Sequence, residues 1–360
     1  MRIMYIVLAI IAFGVLIIVH ELGHFAAARA CGVRVLEFSL GMGPLLAKKQ
    51  GRETVYSLRA LPLGGFCAME GEDGDSDDPR SFAMQPAWKR GIILVAGAAM
   101  NFVVGFLLVL LVFSQSEGFS SPRIDSFMEG CPYQGESALL PGDEFYKIDG
   151  HRTYFFSDIS EYLARSGSDS HDIVVIRDGH KVKLENFSMK LVEYPTESGG
   201  TELKYGIYGS FDPKTLGNSL KYSWYCSLDF VRLVWRSLGD LVTGAVGIGE
   251  LSGPVGIVDM VNEVATQEAA KASVKDALLD VCYLFALIAV NLAVMNLLPI
   301  PALDGGRVFF LIVTWIIEKI SRRRLNPKYE GYIHSAGFIL LMGLMVFVMI
   351  NDVVKLFVNR

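Results

Sequence analysis

The chain lacks the marks of disulfide-bonded and nucleic-acid-binding proteins. Its five cysteines, Cys31, Cys67, Cys131, Cys226 and Cys282, are an odd number with no C-x-x-C spacing. Neither a disulfide framework nor a cysteine zinc site is therefore expected. Cys131 and Cys226 are the two that can meet outside a membrane, and nothing in the sequence brings them together. A formal net charge of −5 leaves no basic excess, and without clustered Lys and Arg no nucleic-acid partner is expected. No small-residue cleavage site interrupts MRIMYIVLAIIAFGVLIIV before His20, so this run reads as a retained transmembrane helix, not a signal peptide. No repeat of roughly 20 to 50 residues is visible.

Apolar residues are abundant, at 52% of 360, too many for an ordinary soluble enzyme. Four stretches, at 4–28, 90–114, 276–300 and 333–356, approach the ~20 residues that a ~30 Å hydrocarbon core requires. A fifth, GGRVFFLIVTWIIEKI at 305–320, is short and reads as a half-span or interfacial helix. Basic residues crowd the loop between spans one and two (Lys48, Lys49, Arg52, Arg59, Arg80, Lys89, Arg90) and the approach to span four (Lys319, Arg322, Arg323, Arg324, Lys328). Both loops are expected in the cytoplasm, with the region 115–275 outside.

The first loop, VRVLEFSLGMGPLLAKKQGRETVYSLRALPLGGFCAME, holds two β-rich runs around a Gly/Lys-rich turn, a hairpin signal. EGEDGDSDDPRS after it reads as a solvated linker. The outer region alternates short β runs and turns from SPRIDSFMEG to VEYP, with helical spacing in SDISEYLARSGS, and forms a small module. SLKYSWYCSLDFVRLVWRSLGDLV is amphipathic and suits either a helix at the outer membrane surface or one packed on that module.

The chemistry is carried by His20-Glu21-Leu22-Gly23-His24. On a helix, residues i and i+4 share a face, so both imidazoles reach one metal while Glu21 handles a water proton. Zinc is the expected cofactor, and it requires a third protein ligand plus one open position. Asp304, in NLLPIPALDGGR, is the candidate: Pro299 and Pro301 break the helix and Gly305 and Gly306 free the backbone. An unpaired Glu in a membrane helix costs ~2.5 to 3.5 kcal/mol on insertion scales, which argues against coincidence. His151, His171 and His180 lie in polar, turn-rich sequence and are expected to be exposed, and His334 to sit near the interface.

HELGH at 20–24, EFSLGMGP, YSLRALPLGGF, AGAAMNF, ALLPGDEFYKIDG, LSGPVGI at 251–257 and NLLPIPALDGGR at 296–307 together resemble the site-2 proteases. These are intramembrane zinc metalloproteases, and the resemblance is to the bacterial branch with a PDZ domain between spans two and three. It implies a polytopic α-helical membrane protein of about four transmembrane helices, with a membrane-associated β hairpin and one inserted PDZ-like α+β domain. The expected division is an N-terminal transmembrane half at 1–114, the PDZ-like domain at 115–200, a linker with amphipathic helices at 201–275, and a C-terminal transmembrane half at 276–360.

By position, the resemblance implies that His20, His24 and Asp304 are zinc ligands and that Glu21 is the general base. It implies that Asn296, Asn101, Gly64 and Gly65 contact substrate. The hairpin at 37–70 resembles one that pairs with extended substrate, and the outer domain one that screens substrates. The implied partners are the lipid bilayer and a transmembrane substrate, either an anti-sigma factor or a signal-peptide remnant. The implied site is the bacterial cytoplasmic membrane, with the active site toward the cytoplasm. One departure is that Gly97 is followed by Ala98 where family members commonly have Pro. Two other readings remain at this point, a non-proteolytic zinc-bearing scaffold and a metal transporter. Glu21 speaks against the first, and the lack of inverted repeats against the second.

Overall fold

Long apolar segments without proline become helices in a bilayer because hydrocarbon offers the backbone no other hydrogen-bond partner. The computed structural model describes residues 2–72, 76–196, 200–247, 253, 256, 274–321 and 328–358. Of the LSGPVGI segment, only Gly253 and Gly256 fall among them. Among the described residues, four helical stretches are long and apolar enough to cross a membrane: Ile11–Ala30, Ala87–Phe113, Leu278–Asn296 and Gly331–Asp352. They belong to helices α1 (Arg2–Ala30), α2 (Ala87–Phe113), α5 (Val274–Asn296) and α7 (Lys328–Val358), and match the four spans read from the sequence. The stretch read as a half-span or interfacial helix is the 18-residue helix α6, Asp304–Ser321.

The chain divides into two compact units, one formed by 1–112 with 230–360 and the other by 113–229. In the first unit, Leu16 of α1 packs with Val281, Phe285 and Ile288 of α5, and Val104 and Leu108 of α2 join them. A second cluster joins Ala28 of α1 and Ile93 of α2 to Val35, Phe38, Cys67 and Met69 of the hairpin.

That hairpin, β1 (Val35–Gln50) and β2 (Val55–Met69), is folded back on itself. Phe38 and Ser39 pair with Cys67 and Phe66 on one side and with Tyr56 and Ser57 on the other. The far half of β1 pairs outside again, Lys48 with Ser57 and Lys49 with Tyr56. Two strands thus give four ranks, with the 65–69 rank at an edge. Arg59 fastens the fold by binding the Glu37 carboxylate at 2.9 Å and the Gly43 carbonyl at 3.0 Å.

The acidic stretch after the hairpin is not simply a solvated linker. The Glu72 carboxylate accepts from Arg307 of α6, 235 residues away, and from the Met69 N–H. Glu70 accepts from the Ser76 hydroxyl at 2.7 Å. With its carboxylate mostly enclosed, Glu72 takes these two donors in place of water.

The second unit has a sheet ordered β10 (Ile207–Pro213), β3 (Gly118–Phe127), β4 (Glu144–Ile148), β6 (Ser170–Arg177), β7 (His180–Ser188), with β5 (His151–Arg152) paired to β4. β8 (Val192–Pro195) and β9 (Thr201–Lys204) form a separate pair. Helix α3 (Phe156–Arg165) turns Ile159, Tyr162 and Leu163 onto Phe145, Ile148 and Ile173, as its amphipathic spacing requires. Helix α4 (Leu216–Thr243) follows, and within this unit its Tyr222 is fully buried, stacked on Phe119 at 4.8 Å. Of the two readings of this helix, packing on the module describes its first turns.

His151 and His180 are exposed as expected, but His171 is not. It is 1% exposed, with Nδ1 2.8 Å from the Asp149 carboxylate. The alternation of β6 turns His171 inward, where only a charged partner makes burial tolerable. All five cysteines are free thiols, Cys131 and Cys226 included.

Candidate metal centre

His20 and His24 stand one helical turn apart on the last third of α1, their rings edge to face with centroids 4.8 Å apart. Asp304 opens α6, after a turn that Pro299 and Pro301 force by ending α5. The turn is tight: a Cβ on Gly305 would overlap the Leu297 and Leu298 carbonyls. Ala302 adopts φ +78° within it, a conformation costing a non-glycine residue about 1–2 kcal/mol. The Ala302 N–H donates to His334 Nδ1 of α7 at 3.0 Å, which holds the strained residue in place.

Three atoms converge. His20 Nε2 lies 3.0 Å from Asp304 Oδ2, His24 Nε2 lies 3.2 Å from the same oxygen, and the two nitrogens are 3.2 Å apart. Tetrahedral zinc with bonds of ~2.0 to 2.1 Å sets its ligand atoms about 3.3 to 3.4 Å apart, so this triangle has nearly the edge length zinc needs. Asp304 Oδ2 is buried and close to both imidazoles, yet it has no aligned hydrogen bond. The rings therefore do not aim their nitrogens at the carboxylate as hydrogen-bond partners would. A divalent cation between the three atoms would satisfy all of them, and the donor set, two imidazoles and a carboxylate, suits zinc.

Helix α2 backs this cluster with residues four apart. The Ile93 carbonyl lies 2.8 Å from His24 Nδ1, so Nδ1 carries a proton and Nε2 is the nitrogen turned toward Asp304. Gly97 comes next, and a Cβ there would run into the His24 and His20 rings. Asn101, one turn further, brings its carboxamide to 3.4 Å from His20 Nδ1, as does Asn296 from the end of α5. Asn101 is buried at 1% exposure, so it stands behind His20 instead of lining an open groove.

Glu21 follows His20, and the hairpin edge passes beside it: a Cβ on Gly65 would lie 3.4 Å from Glu21 Cγ. Gly64, with φ +99°, instead meets the Met42 side chain. An apolar groove of about 370 Å³, lined by Leu22, Phe25, Phe38, Tyr56 and Leu58, opens on the Leu22 face of α1. Helical periodicity sets that face opposite His20 and His24, so this groove is not the metal centre.

The sequence-predicted residues His20, Glu21, His24, Asp304, Asn101, Asn296 and Gly65 are thus brought together, while Gly64 lies apart. Sequence reading missed the Ile93 carbonyl, the clearance at Gly97, and His334 as the support of the Asp304 turn. Only Gly97 carried a signal, as a glycine within an apolar span.

The model of peptidase family M50 matches residues 8–344. The chain belongs to peptidase family M50. A protein of Clostridium acetobutylicum provisionally named a zinc metalloprotease is 36% identical over 355 residues, spanning 97% of each chain. The metalloprotease MmpA of Caulobacter vibrioides is 30% identical over 375 residues, spanning 94% of this chain and 92% of its own. The regulator of sigma-W protease RasP of Bacillus subtilis is 28% identical over 432 residues, spanning 97% of this chain and 98% of its own. As an M50 member with four helices fit to cross a membrane, the chain is a multi-pass membrane metalloprotease that uses zinc.

Proposed function

We propose that this M50 protease cleaves transmembrane segments of single-span membrane proteins, at a zinc held by His20, His24 and Asp304. The observation that carries the reading is the Nε2–Nε2–Oδ2 triangle with Glu21 next to it in sequence. When bound, zinc supplies Lewis acidity and a water acidified to a pKa near ~7. Glu21 takes that water's proton on its carboxylate and returns it to the departing amine nitrogen. The Asn296 carboxamide, half-buried at the end of α5, donates to the substrate carbonyl oxygen as charge builds there.

A helical substrate hides its peptide bonds and must unwind before it is cut. The edge rank of the hairpin, which carries Gly65 past Glu21, replaces the lost hydrogen bonds by strand addition. Gly64 shapes the backbone leading into that rank. The sheet-and-helix unit at 113–229 acts as the PDZ-like screen for substrates. Basic loop residues favour a cytoplasmic metal centre, with that unit outside. The name of RasP ties that relative to sigma-W regulation, so anti-sigma factors head the substrate candidates, followed by signal-peptide remnants.

The test is cleavage of a detergent-solubilised single-span substrate, with its outer domain removed, by the wild type, by Glu21→Gln and by chelator-stripped protein, with bound zinc quantified in each. Cleavage by the wild type alone, with zinc retained in Glu21→Gln, supports the reading. A zinc-loaded wild type that cuts none of several easily unwound spans overturns it in favour of a scaffold.

A further inference from the structure

Each imidazole of the metal centre has a second nitrogen, and α2 supplies what lies behind both. His24 Nδ1 faces a carbonyl, that of Ile93, which can only accept. His20 Nδ1 stands in the equivalent position two turns along α2, and Asn101 faces it at 3.4 Å. If His20 is to present an unprotonated Nε2 to the metal, its Nδ1 must carry the proton and requires an acceptor. The atom that Asn101 turns toward it is the amide nitrogen, a donor, while Asn101 Oδ1 is buried with no partner.

The buried Asn101 Oδ1 has no partner where it stands, and half a turn of the carboxamide brings it to His20 Nδ1. The oxygen and nitrogen of a carboxamide are nearly the same size, so half a turn about the terminal torsion exchanges them without disturbing the packing. Oδ1 then accepts from His20 Nδ1–H. Asn296 stands at the same 3.4 Å from His20 Nδ1 but is only half-buried, so Asn101 is the one whose enclosed carbonyl oxygen has no other partner.

We propose that Asn101 is a positioning residue whose Oδ1 accepts the His20 Nδ1 proton, fixing the tautomer that turns Nε2 to the metal. The α2 stripe at 93, 97 and 101 is then one device, in which a backbone acceptor serves His24, a bare glycine gives the rings room, and a side-chain acceptor serves His20. Asn101 acts through His20 and touches no substrate; of the two asparagines, only Asn296 remains for substrate contact. This rests on the reading of His20, His24 and Asp304 as zinc ligands.

The test uses the full chain in detergent, with zinc as the probe and chelator competition as the readout. Asn101→Leu keeps the volume without an acceptor, and Asn101→Asp keeps an acceptor. The expected result is a zinc affinity ~10- to 100-fold weaker in Asn101→Leu, near wild type in Asn101→Asp, and KM unchanged when Asn101→Leu is saturated with zinc. Wild-type zinc affinity in Asn101→Leu together with a raised KM would make Asn101 a substrate contact and overturn the proposal. Equal loss of zinc in both variants would also overturn it, since an acceptor would then not matter. Nitrogen NMR of the zinc-loaded wild type decides the matter independently of either variant: a proton bonded to His20 Nδ1 is expected, and a bare Nδ1 overturns the assignment. A wild type that binds no zinc refutes the metal-site reading itself; a wild type that binds it beside an unaffected Asn101→Leu refutes only this inference.

Discussion

Among the described residues, histidine meets aspartate in two places, and they differ in kind. In the unit at 113–229, His171 and Asp149 form an aligned pair at 2.8 Å, and Asp149 also accepts from the Asp172 N–H at 2.8 Å. In the first unit, His20 and His24 approach Asp304 Oδ2 to 3.0 and 3.2 Å, but that oxygen has no aligned donor. The first pair satisfies the two atoms that face each other, His171 Nδ1 and the Asp149 carboxylate, and leaves His171 Nε2 buried without a partner. The second leaves lone pairs converging on one point and is ready for a cation. Proximity of a histidine to a carboxylate is therefore no sign of function; failure to satisfy one another is.

The comparison breaks most severely at Glu21, the proposed general base. Glu21→Gln is expected to lower cleavage by ~10²- to 10⁴-fold with zinc content unchanged, read by substrate turnover and metal analysis on one preparation. Gly97→Val should cost both zinc and cleavage, because its side chain would occupy the space of the His24 and His20 rings; wild-type zinc content would show that α2 can retreat. Asp149→Asn should destabilise the 113–229 unit by about 1–3 kcal/mol and leave zinc untouched, followed by hydrogen exchange in the full chain.

That pair also carries a pH signature. Burial pushes the Asp149 carboxyl up, but the His171 and Asp172 hydrogen bonds outweigh it and hold it below its ordinary value. A carboxyl lowered on folding contributes stability above its unfolded pKa of ~3.9 and loses it as pH falls through the folded value. Exchange protection of the 113–229 unit should therefore weaken in acid below about pH 4, and Asp149→Asn should remove that component of the weakening. The smallest effect is expected at the Asp304 turn, where Ala302→Gly relieves the φ of +78° at the cost of a looser unfolded chain. The net change should be within about 1 kcal/mol, read by thermal unfolding.

What could be read from the sequence follows the same division. Spacing of four residues on a helix brings His20 and His24 together whatever the rest of the fold does, and a break at Pro299 and Pro301 followed by Gly305 and Gly306 marks Asp304. The apolar spans and the hairpin runs were legible from composition and turn chemistry. The fold-back of the hairpin was not, because it depends on β1 pairing on both of its sides. His171 was misread as exposed because polar neighbours in sequence do not reveal which face of a strand turns inward. The Ile93 carbonyl is a backbone group with no letter of its own, and the Glu72–Arg307 link spans 235 residues.

The α2 stripe has a consequence for anyone wishing to block this enzyme. With Ile93 and Asn101 behind the imidazoles and Gly97 pressed against them, the α2 side offers no entry to a drug-like molecule. If zinc sits in the proposed site, a chelating inhibitor would have to bring its warhead in from the side of Glu21 and Gly65, and its remaining bulk would lie along the hairpin edge. Extended, strand-like compounds carrying a central zinc-binding group are thus better starting points for inhibition than compact chelators.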